Sequence, residues 1–349
     1  MSARLVVHHV GPDPSTIGGM ATVIRVMTES KVGGDVVDSY PTWKPADRSA
    51  GTRLSLLAAR ALIRAPTTDI AHVHLSERGS FLREGALLML ARRRGLVTVV
   101  TLHGASLLPF ARKHRSLVAF VLRQADSITC LDQETLEFVG QLAADVPAVI
   151  LPNPVPVDEA HIPADETDEL VVFAGEISLR KGADVLHRAW PLVAQRRPMA
   201  QCLMVGPRAD FTPPPTERLL VSPPTDPAAM KETLQRARVV VLPSRAEAMP
   251  MALVEAMSLG RPFVSTPVGG IPELATAGGV LVAVGDELSL ADRLTELLAD
   301  GDLARDLGER GRSFCLETRS VDVIDERLRA LYSNAIRGRS ASPTAHSSG

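Results

Sequence analysis

Short apolar segments rich in β-branched residues alternate with amphipathic helical patterns along most of the chain. Strands that alternate with helices in this way form parallel sheets covered by helices on both faces, so the sequence predicts an α/β fold. In the first half, strand-like segments lie at 5–10, 70–74, 98–102, 127–130 and 148–151. The helical patterns between them cover 20–30, 53–63, 81–94 and 133–142.

A second set of strands follows an aperiodic stretch rich in proline and acidic residues at 151–170, which is typical of an interdomain linker. A chain of 349 residues is long enough for two domains with separate cores. The strands of the second set are predicted at 170–174, 201–205, 219–221, 239–242, 263–265 and 280–282. We predict an amino-terminal Rossmann-like domain at 1–155, a carboxyl-terminal one at 156–319, a helix at about 320–336 that packs back on the first domain, and a disordered tail at 337–349.

Bulk composition excludes several classes of protein. The formal net charge is only −2 and the aromatic content is 3%, so no nucleic-acid footprint is visible. The three cysteines are far apart in the sequence and suggest neither a disulfide framework nor a zinc site. The first residues do not match the pattern of a signal peptide, and we find no 18-residue apolar run, so we expect a cytoplasmic protein, with peripheral contact at the inner membrane face left open.

In doubly wound sheets, ligands bind beyond the carboxyl ends of the strands, so the informative residues are those that directly follow strands. The segment GEISLRKGADVLHRAW, residues 175–190, follows one such strand and leads into a helix. A diphosphate there would gain from backbone N–H groups, the helix dipole, Arg180 and Lys181. The alternative is a solvated turn whose cations face water.

Two segments of the first half invite similar interpretations. Gly18 and Gly19 begin a helix after the first strand, where glycines let a ligand approach the backbone, although a plain flexible loop explains them equally well. His103 directly follows another strand, which ends at Leu102, and is placed to donate a hydrogen bond to a substrate. A purely structural histidine is the alternative.

Two glutamates follow the apolar strand at 239–242, in the stretch SRAEAMPMALVEAMSLGRPFVSTPVGGIPEL. Glu247 lies in the loop, and Pro250 suits the first turn of the helix that carries Glu255. Carboxylates accept hydrogen bonds from vicinal hydroxyls, which predicts a bound sugar or ribose. Glu255 is flanked by the apolar residues Leu253, Val254, Ala256 and Met257, among which a charged side chain without a specific partner is unfavourable.

These residues resemble the donor half of the retaining family 4 glycosyltransferases, of the group 1 type, which have the GT-B fold of two Rossmann-like doubly wound domains facing across a cleft. The pattern is a serine, a glutamate, seven residues and a second glutamate, followed by EAMxxGxPxVxxxxGGxxE from Glu255 to Glu273. The similarity extends to Gly18 and Gly19, the segment HVHL at 72–75, His103, and LPN at 151–153.

The resemblance implies a retaining glycosyltransferase that needs no metal or other cofactor and uses a nucleotide diphosphate sugar as donor. It is expected to act in polysaccharide or glycoconjugate biosynthesis. The acceptor would be a glycan, a lipid-linked molecule or a small molecule. The implied catalytic residues are His103, Glu247 and Lys181, and the implied donor-binding residues are Gly18, Gly19, Arg180, Lys181, Met249, Pro250, Met251 and Glu255.

The chain departs from the family pattern at two places. Glu176 follows Gly175 where the family commonly has arginine, so Arg180 is expected to supply the second positive charge. Ala248, Met249 and Pro250 replace a frequent Gly-Phe-Gly, which removes a backbone N–H at Pro250 and loosens any expectation about the donor sugar.

Acceptor binding is predicted from Ser76, Arg78 and Arg83, which follow a strand of the first domain. A basic helix start with ordinary ion pairs is an equal alternative. For the whole chain, the alternatives are a nucleotide-sugar epimerase or hydrolase, or a catalytically silent nucleotide-sugar-binding partner protein.

Overall fold

A computed structural model describes residues 4–44 and 50–341 of the chain. These described residues divide into two compact units, one within 1–154 and 321–349 and the other at 155–320. Each unit is built on one six-stranded parallel sheet. The two sheets with their covering helices have the α/β architecture of the GT-B fold, as the sequence predicts.

Unit 1, the unit that contains the amino-terminal half, has strand order β2-β1-β3-β4-β5-β6. Its strands are β1 Val6–Pro12, β2 Val36–Trp43, β3 Ile70–Leu75, β4 Val97–Leu102, β5 Ser127–Cys130 and β6 Ala148–Ile150. Its helices are α1 Gly19–Glu29, α2 Ala50–Arg64, α3 Arg78–Arg94, α4 Leu107–Lys113, α5 Arg115–Leu122, α6 Gln133–Leu142 and α13 Val321–Ala341. All residues of β3 and β4 are buried, as expected of central strands covered on both faces.

Strand β2 was not among the predicted strands. Its sequence, VVDSYPTW, contains a proline and an aspartate, which weaken a strand pattern. Proline is tolerated there because β2 lies at the edge of the sheet, with β1 as its single partner among the described strands. Tertiary position therefore outweighed local propensity.

The predicted end of the last helix was also wrong. Helix α13 continues to Ala341, so residues 337–341 of the predicted tail are helical. The remainder of that tail, residues 342–349, lies outside the described residues. The helix is held within unit 1, where the Asp325 carboxylate accepts a hydrogen bond from the Gly33 backbone N–H at 2.6 Å and Arg329 donates to the carbonyl of Gly34 at 2.9 Å.

Unit 2, residues 155–320, has strand order β12-β11-β10-β7-β8-β9. Its strands are β7 Leu170–Ala174, β8 Gln201–Val205, β9 Leu219–Ser222, β10 Val239–Leu242, β11 Phe263–Ser265 and β12 Gly279–Leu281. Its helices are α7 Ala183–Arg196, α8 Pro227–Arg236, α9 Met251–Ser258, α10 Ile271–Gly278, α11 Glu287–Ala299 and α12 Gly301–Thr318, with a 3₁₀ turn at Ala164–Glu166.

Each sheet has one switch point, the place where the chain changes the side of the sheet on which it adds the next strand. In unit 2 the chain passes from β7 to one side and returns to β10 on the other, and in unit 1 the equivalent place lies between β1 and β3. Loops at the carboxyl ends of such neighbouring strands diverge and leave room for a ligand. The loops that follow β7 and β10 are therefore brought together in unit 2, and those that follow β1 and β3 are brought together in unit 1.

Candidate functional site

The switch point of unit 2 brings together a lysine and a glutamate that the sequence separates by 66 positions. Lys181 lies in the loop after β7, just before α7, and Glu247 lies in the loop after β10. Nζ of Lys181 is 2.6 Å from Oε1 of Glu247. Their side chains are 15% and 7% exposed, so this ion pair is largely removed from solvent.

Two further groups hold the Glu247 carboxylate. The hydroxyl of Ser244, two residues after the end of β10, donates to Oε1 at 2.8 Å. Nη1 of Arg180 is 3.9 Å from the same oxygen. Glu247 is thus surrounded by two cations and a hydroxyl donor, and these contacts fix the direction of its carboxylate.

Arg180 also contacts the residue that departs from the family pattern. Its Nη2 is 3.6 Å from Oε1 of Glu176, and both side chains are more than 40% exposed. Arg180 therefore lies between Glu176 and Glu247, and it donates to the carbonyl of Ala246 at 3.2 Å. The expected second cation is present at the site, although an acidic neighbour partly balances it.

Arg245 holds the two loops of this site together. Its guanidinium makes a bidentate pair with Asp184 of α7, at 2.7 and 2.8 Å, which holds the pKa of that carboxyl below its usual value. Its backbone N–H donates to the carbonyl of Arg180 at 2.7 Å. Sequence reasoning missed Arg245, because only the fold places the two loops side by side.

The paired glycines of the motif also support the Glu247 loop. Gly270 N–H donates to the carbonyl of Ala248 at 2.7 Å. A Cβ at Gly269 would lie 2.2 Å from the carbonyl oxygen of Glu247, and the φ of Gly269 is 55°. Only glycine allows this approach of two backbones, so Gly269 sets the position of Glu247.

The remaining predicted donor residues of unit 2 follow directly on Glu247. Met249 and Pro250 are buried, and Pro250 is the N-cap of α9 rather than a residue of its first turn. Met251 begins α9 and is buried, while Glu255 lies on the same helix and is half-buried.

In unit 1, the predicted residues lie at and beside the switch point of the sheet. Gly18 and Gly19 are exposed at the start of α1, and Gly18 has φ 154° with no atom within 4 Å of where a Cβ would stand. His103 follows β4, and its backbone N–H donates to the carbonyl of Leu75 at 2.7 Å.

Ser76, Arg78 and Arg83 differ in their contacts. Arg83 pairs with the fully buried Glu84 at 2.8 Å, which is the ordinary structural role left open by the sequence. The Ser76 hydroxyl donates to Glu77 at 2.7 Å. Arg78 has φ 57°, a rare conformation for a non-glycine residue, and within the described ranges no ion pair engages it.

Four buried histidines form a polar cluster in the core of unit 1. His9 of β1, His72 and His74 of β3, and His103 share one face of the sheet. Burial lowers the pKa of His103 to about 3, and burial with the neighbouring His8 lowers that of His9 to about 3. Burial also holds the pKa values of His72 and His74 well below the usual range, so all four rings are neutral at physiological pH.

Three of these histidines could supply metal ligands by distance alone. One ring nitrogen each from His9, His72 and His74 lies within 4.8 Å of the others. Both nitrogens of His72 and both of His74, however, are already hydrogen-bonded to other side chains. The spacing of His72 and His74 is a signal for this cluster, since residues two apart on a strand face the same side.

Comparisons with known proteins agree across both halves of the chain. Residues 16–159 match the family described as Glycosyltransferase Family 4, and residues 168–300 match that described as Glycosyl transferases group 1. The chain belongs to the family 4 glycosyltransferases. This glycosyltransferase therefore catalyses transfer of glycosyl groups, and the epimerase, hydrolase and silent-partner alternatives are not favoured.

The sequence similarity to curated relatives extends over most of the glycosyltransferase. It is 25% identical over 325 residues to N-acetyl-alpha-D-glucosaminyl L-malate synthase of Bacillus anthracis, which covers 86% of this chain and 82% of that protein. It is 28% identical to D-inositol 3-phosphate glycosyltransferase 1 of Catenulispora acidiphila, over 89% of this chain and 83% of that protein.

Solved structures confirm the fold. Sucrose-phosphate synthase from Thermosynechococcus elongatus superposes with a TM-score of 0.75 at 18% identity, covering 96% of this chain and 100% of that one. Anabaena HepE in complex with UDP and glucose gives a TM-score of 0.72 at 16% identity, covering 94% and 99%. Among the described residues, no helix combines the length and apolarity needed to cross a membrane.

Proposed function

We propose that this glycosyltransferase uses a nucleotide diphosphate sugar as donor and transfers the sugar to an acceptor hydroxyl with retention of anomeric configuration. The observation that carries the proposal is the ion pair between Lys181 and Glu247 at the switch point of unit 2. A cation and a carboxylate held side by side suit a donor that combines a diphosphate with sugar hydroxyls.

The leaving diphosphate is the group that gains negative charge during the reaction. Lys181, Arg180 and the amino terminus of α7 supply positive charge and N–H dipoles to it, in the role that a metal ion fills in other transferases. Glu247 accepts hydrogen bonds from the donor sugar, and Glu255 accepts those of the nucleotide ribose. We therefore propose that turnover needs no metal.

Retention follows if the acceptor attacks the anomeric carbon on the face from which the diphosphate leaves. The bond from the anomeric carbon to the diphosphate oxygen breaks, a bond to the acceptor oxygen forms, and the acceptor proton passes to a leaving phosphate oxygen. His103, neutral because of its burial, donates a hydrogen bond to the donor sugar rather than acting as the base. Positive charge that develops on the sugar ring is then not opposed by a nearby imidazolium.

The acceptor is proposed from unit 1. Two of the three predicted acceptor residues, Arg78 and Arg83, are cations. Arg83 is paired with Glu84, whereas Arg78 has no ion pair within the described ranges. The names of two curated relatives contain malate and inositol phosphate, which are small anionic hydroxyl compounds. A small anionic hydroxyl acceptor therefore fits at least as well as the glycan or lipid-linked acceptor of polysaccharide or glycoconjugate biosynthesis.

One set of assays tests these statements. The purified enzyme is incubated with a panel of nucleotide diphosphate sugars and with malate, inositol phosphate or glycan acceptors, with and without a chelator. The anomeric configuration of the product is then read from its proton NMR coupling constants. We expect transfer with retention that the chelator leaves unchanged. An inverted product, or activity abolished by chelation and restored by a divalent ion, would overturn the corresponding part of the proposal.

A further inference from the structure

His103 is the outer member of a chain of three buried histidines in unit 1. Nε2 of His103 lies 2.9 Å from Nδ1 of His74, and Nε2 of His74 lies 2.9 Å from Nδ1 of His9. This series of hydrogen bonds ends at Nε2 of His9, which is fully buried and has no hydrogen-bond partner among the described residues. At its other end, Nδ1 of His103 makes no hydrogen bond to a described residue and is not among the buried unpartnered atoms.

Neutral rings in such a chain cannot choose their tautomers independently. Each neutral imidazole has one N–H donor and one acceptor nitrogen. If His9 donates from Nδ1, then His74 must also donate from Nδ1, and His103 carries its proton on the outer Nδ1. If His103 donates inward instead, the protons move to Nε2 of all three rings, and His9 is left with a buried N–H that has no acceptor.

The inner end of the chain decides between these two states. A buried N–H without an acceptor is the rarer defect in proteins, compared with an acceptor that lacks a donor. The state in which Nε2 of His9 carries no proton is therefore favoured. We propose that His9 and His74 are positioning residues that hold His103 as the Nδ1–H tautomer, so that it presents a hydrogen-bond donor at the edge of the sheet.

A second series of hydrogen bonds, next to the one through the three histidines, ends on a backbone carbonyl. It therefore defines the tautomer of His72, which can be compared with that of His74. The Thr129 hydroxyl donates to the carbonyl of Val100 at 3.3 Å and so accepts from the Thr101 hydroxyl at 2.6 Å. Thr101 then accepts from Nε2 of His72 at 2.6 Å, and Nδ1 of His72 accepts from the Tyr332 hydroxyl at 2.6 Å. His72 is therefore the Nε2–H tautomer, opposite to that of the ring stacked on it, His74.

The catalytic use of this donor rests on the proposed function, in which His103 donates to the donor sugar, but the tautomers themselves do not. The two can be tested separately. Long-range ¹H–¹⁵N NMR spectra of the whole wild-type enzyme, labelled in its histidines, distinguish the two tautomers of each ring. We expect Nδ1–H for His9, His74 and His103, and Nε2–H for His72. A finding of Nε2–H at His103 would overturn the inference.

The same spectra test the metal interpretation of the cluster. Addition of Zn²⁺ alone should leave the ring nitrogen shifts of His9, His72 and His74 unchanged, because the nitrogens of the latter two are committed to hydrogen bonds. Saturable shifts at all three rings would show a metal site and would contradict the proposed proton arrangement.

Two variants of nearly equal shape test the functional consequence. In His74→Asn the amide nitrogen stands where Nδ1 of His74 stood and can donate to His103, whereas His74→Leu offers no donor. We expect His74→Leu to lower kcat on the order of 10-fold or more with little change in KM for the donor, and His74→Asn to restore most of that loss. Equal losses in the two variants would assign His74 a packing role only.

Two controls make the outcome specific. His8→Asn removes a buried histidine of β1, the strand that carries His9, and the ring of His8 is hydrogen-bonded to Asp69 on the other face of the sheet. This variant should leave kcat close to that of the wild type. In a His103→Ala background, His74→Leu should cause no further loss of kcat, since it acts through His103. A further loss would contradict the inference, while wild-type turnover of His103→Ala would refute only the proposed role of His103 and leave the tautomers to the NMR result.

Discussion

Nζ of Lys181 lies 2.6 Å from Oε1 of Glu247, so the cation proposed to meet the diphosphate already has a carboxylate partner within unit 2. A bound diphosphate would compete with Glu247 for the lysine. We propose that the pair fixes Lys181 when no donor is bound, and that the carboxylate becomes available to sugar hydroxyls once the lysine contacts phosphate. Its two members should respond differently to substitution.

Lys181→Met keeps the aliphatic stem and removes the charge. We expect kcat to fall on the order of 10² or more, because one donor to the developing negative charge is lost, and His103→Ala should have an effect of similar size. Initial rates at saturating donor measure this. Lys231→Met, which removes a half-exposed lysine paired with Asp158, serves as the control and should stay near the wild-type rate. Near-normal turnover of Lys181→Met would remove the proposed role.

Glu247→Gln retains the hydrogen bond from Ser244 and removes the negative charge beside Lys181. We expect turnover to fall at least about 10-fold, because the sugar loses a charged acceptor. Affinity for a nucleoside diphosphate should rise several-fold, because the phosphate no longer competes with a carboxylate. Isothermal calorimetry with a panel of nucleoside diphosphates measures the affinity. Glu217→Gln, at a highly exposed side chain, should alter neither quantity. Weaker diphosphate binding by Glu247→Gln would contradict the competition.

Glu176→Arg restores the residue common in the family. The new cation stands next to Arg180, and we expect tighter nucleoside diphosphate binding than in the wild type. Glu176→Gln only releases Arg180 from an exposed pair at 3.6 Å, so its effect should be within about 3-fold, as is usual for exposed ion pairs. The same calorimetric panel separates the two variants. Equal effects would mean that loss of the acidic charge, not gain of a cation, governs binding.

Gly269→Ala should displace the loop that carries Glu247. The added Cβ would stand 2.2 Å from the carbonyl oxygen of Glu247, and the backbone cannot keep its place. Gly285→Ala is a matched control, since Gly285 also has a positive φ, 84°, but open space around the Cβ position. Both should lose about 1 kcal/mol or more of stability from backbone strain, measured by urea unfolding, but only Gly269→Ala should also lose most of its kcat. A similar kcat in the two variants would argue against the positioning role.

Stability should fall as the pH is lowered from 7 to 5. The pKa values of His9 and His103 are about 3 in the folded protein, against about 6.5 in the unfolded chain. The unfolded state therefore binds more protons below pH 6.5, so stability is complete above that value and decreases as the pH falls towards 3. At pH 5 the loss is on the order of 2 kcal/mol for each of the two histidines.

Urea unfolding at pH 7, 6 and 5 measures this loss. The slope between pH 6.5 and 5 should be smaller in His9→Asn than in the wild type, because one titrating group has been removed. Stability that is constant over this range would contradict the neutral, buried state of the histidines.

The division into strands and helices could be read from the sequence because its physical cause is local. Buried parallel strands need continuous apolar, β-branched segments, and the segments before Gly175 and Ser244 have this character. Strand β2 was missed because an edge strand needs no such run and accepts Pro41. The carboxyl end of α13 was missed because a tertiary contact near that end, from the Arg339 guanidinium to the carbonyl of Leu96, is not visible in the sequence pattern.

By itself, the sequence determined the alternation of strands and helices, the family motif from Glu255 to Glu273, and the position of most candidate residues in the loops and helix starts that follow strands. Only the tertiary structure decided which of these residues meet. The contact of Lys181 with Glu247, and the chain from His103 through His74 to His9, join separate parts of the sequence. Their spacing depends on strand order and register, which arise from the packing of the whole sheet and are not encoded in any short segment.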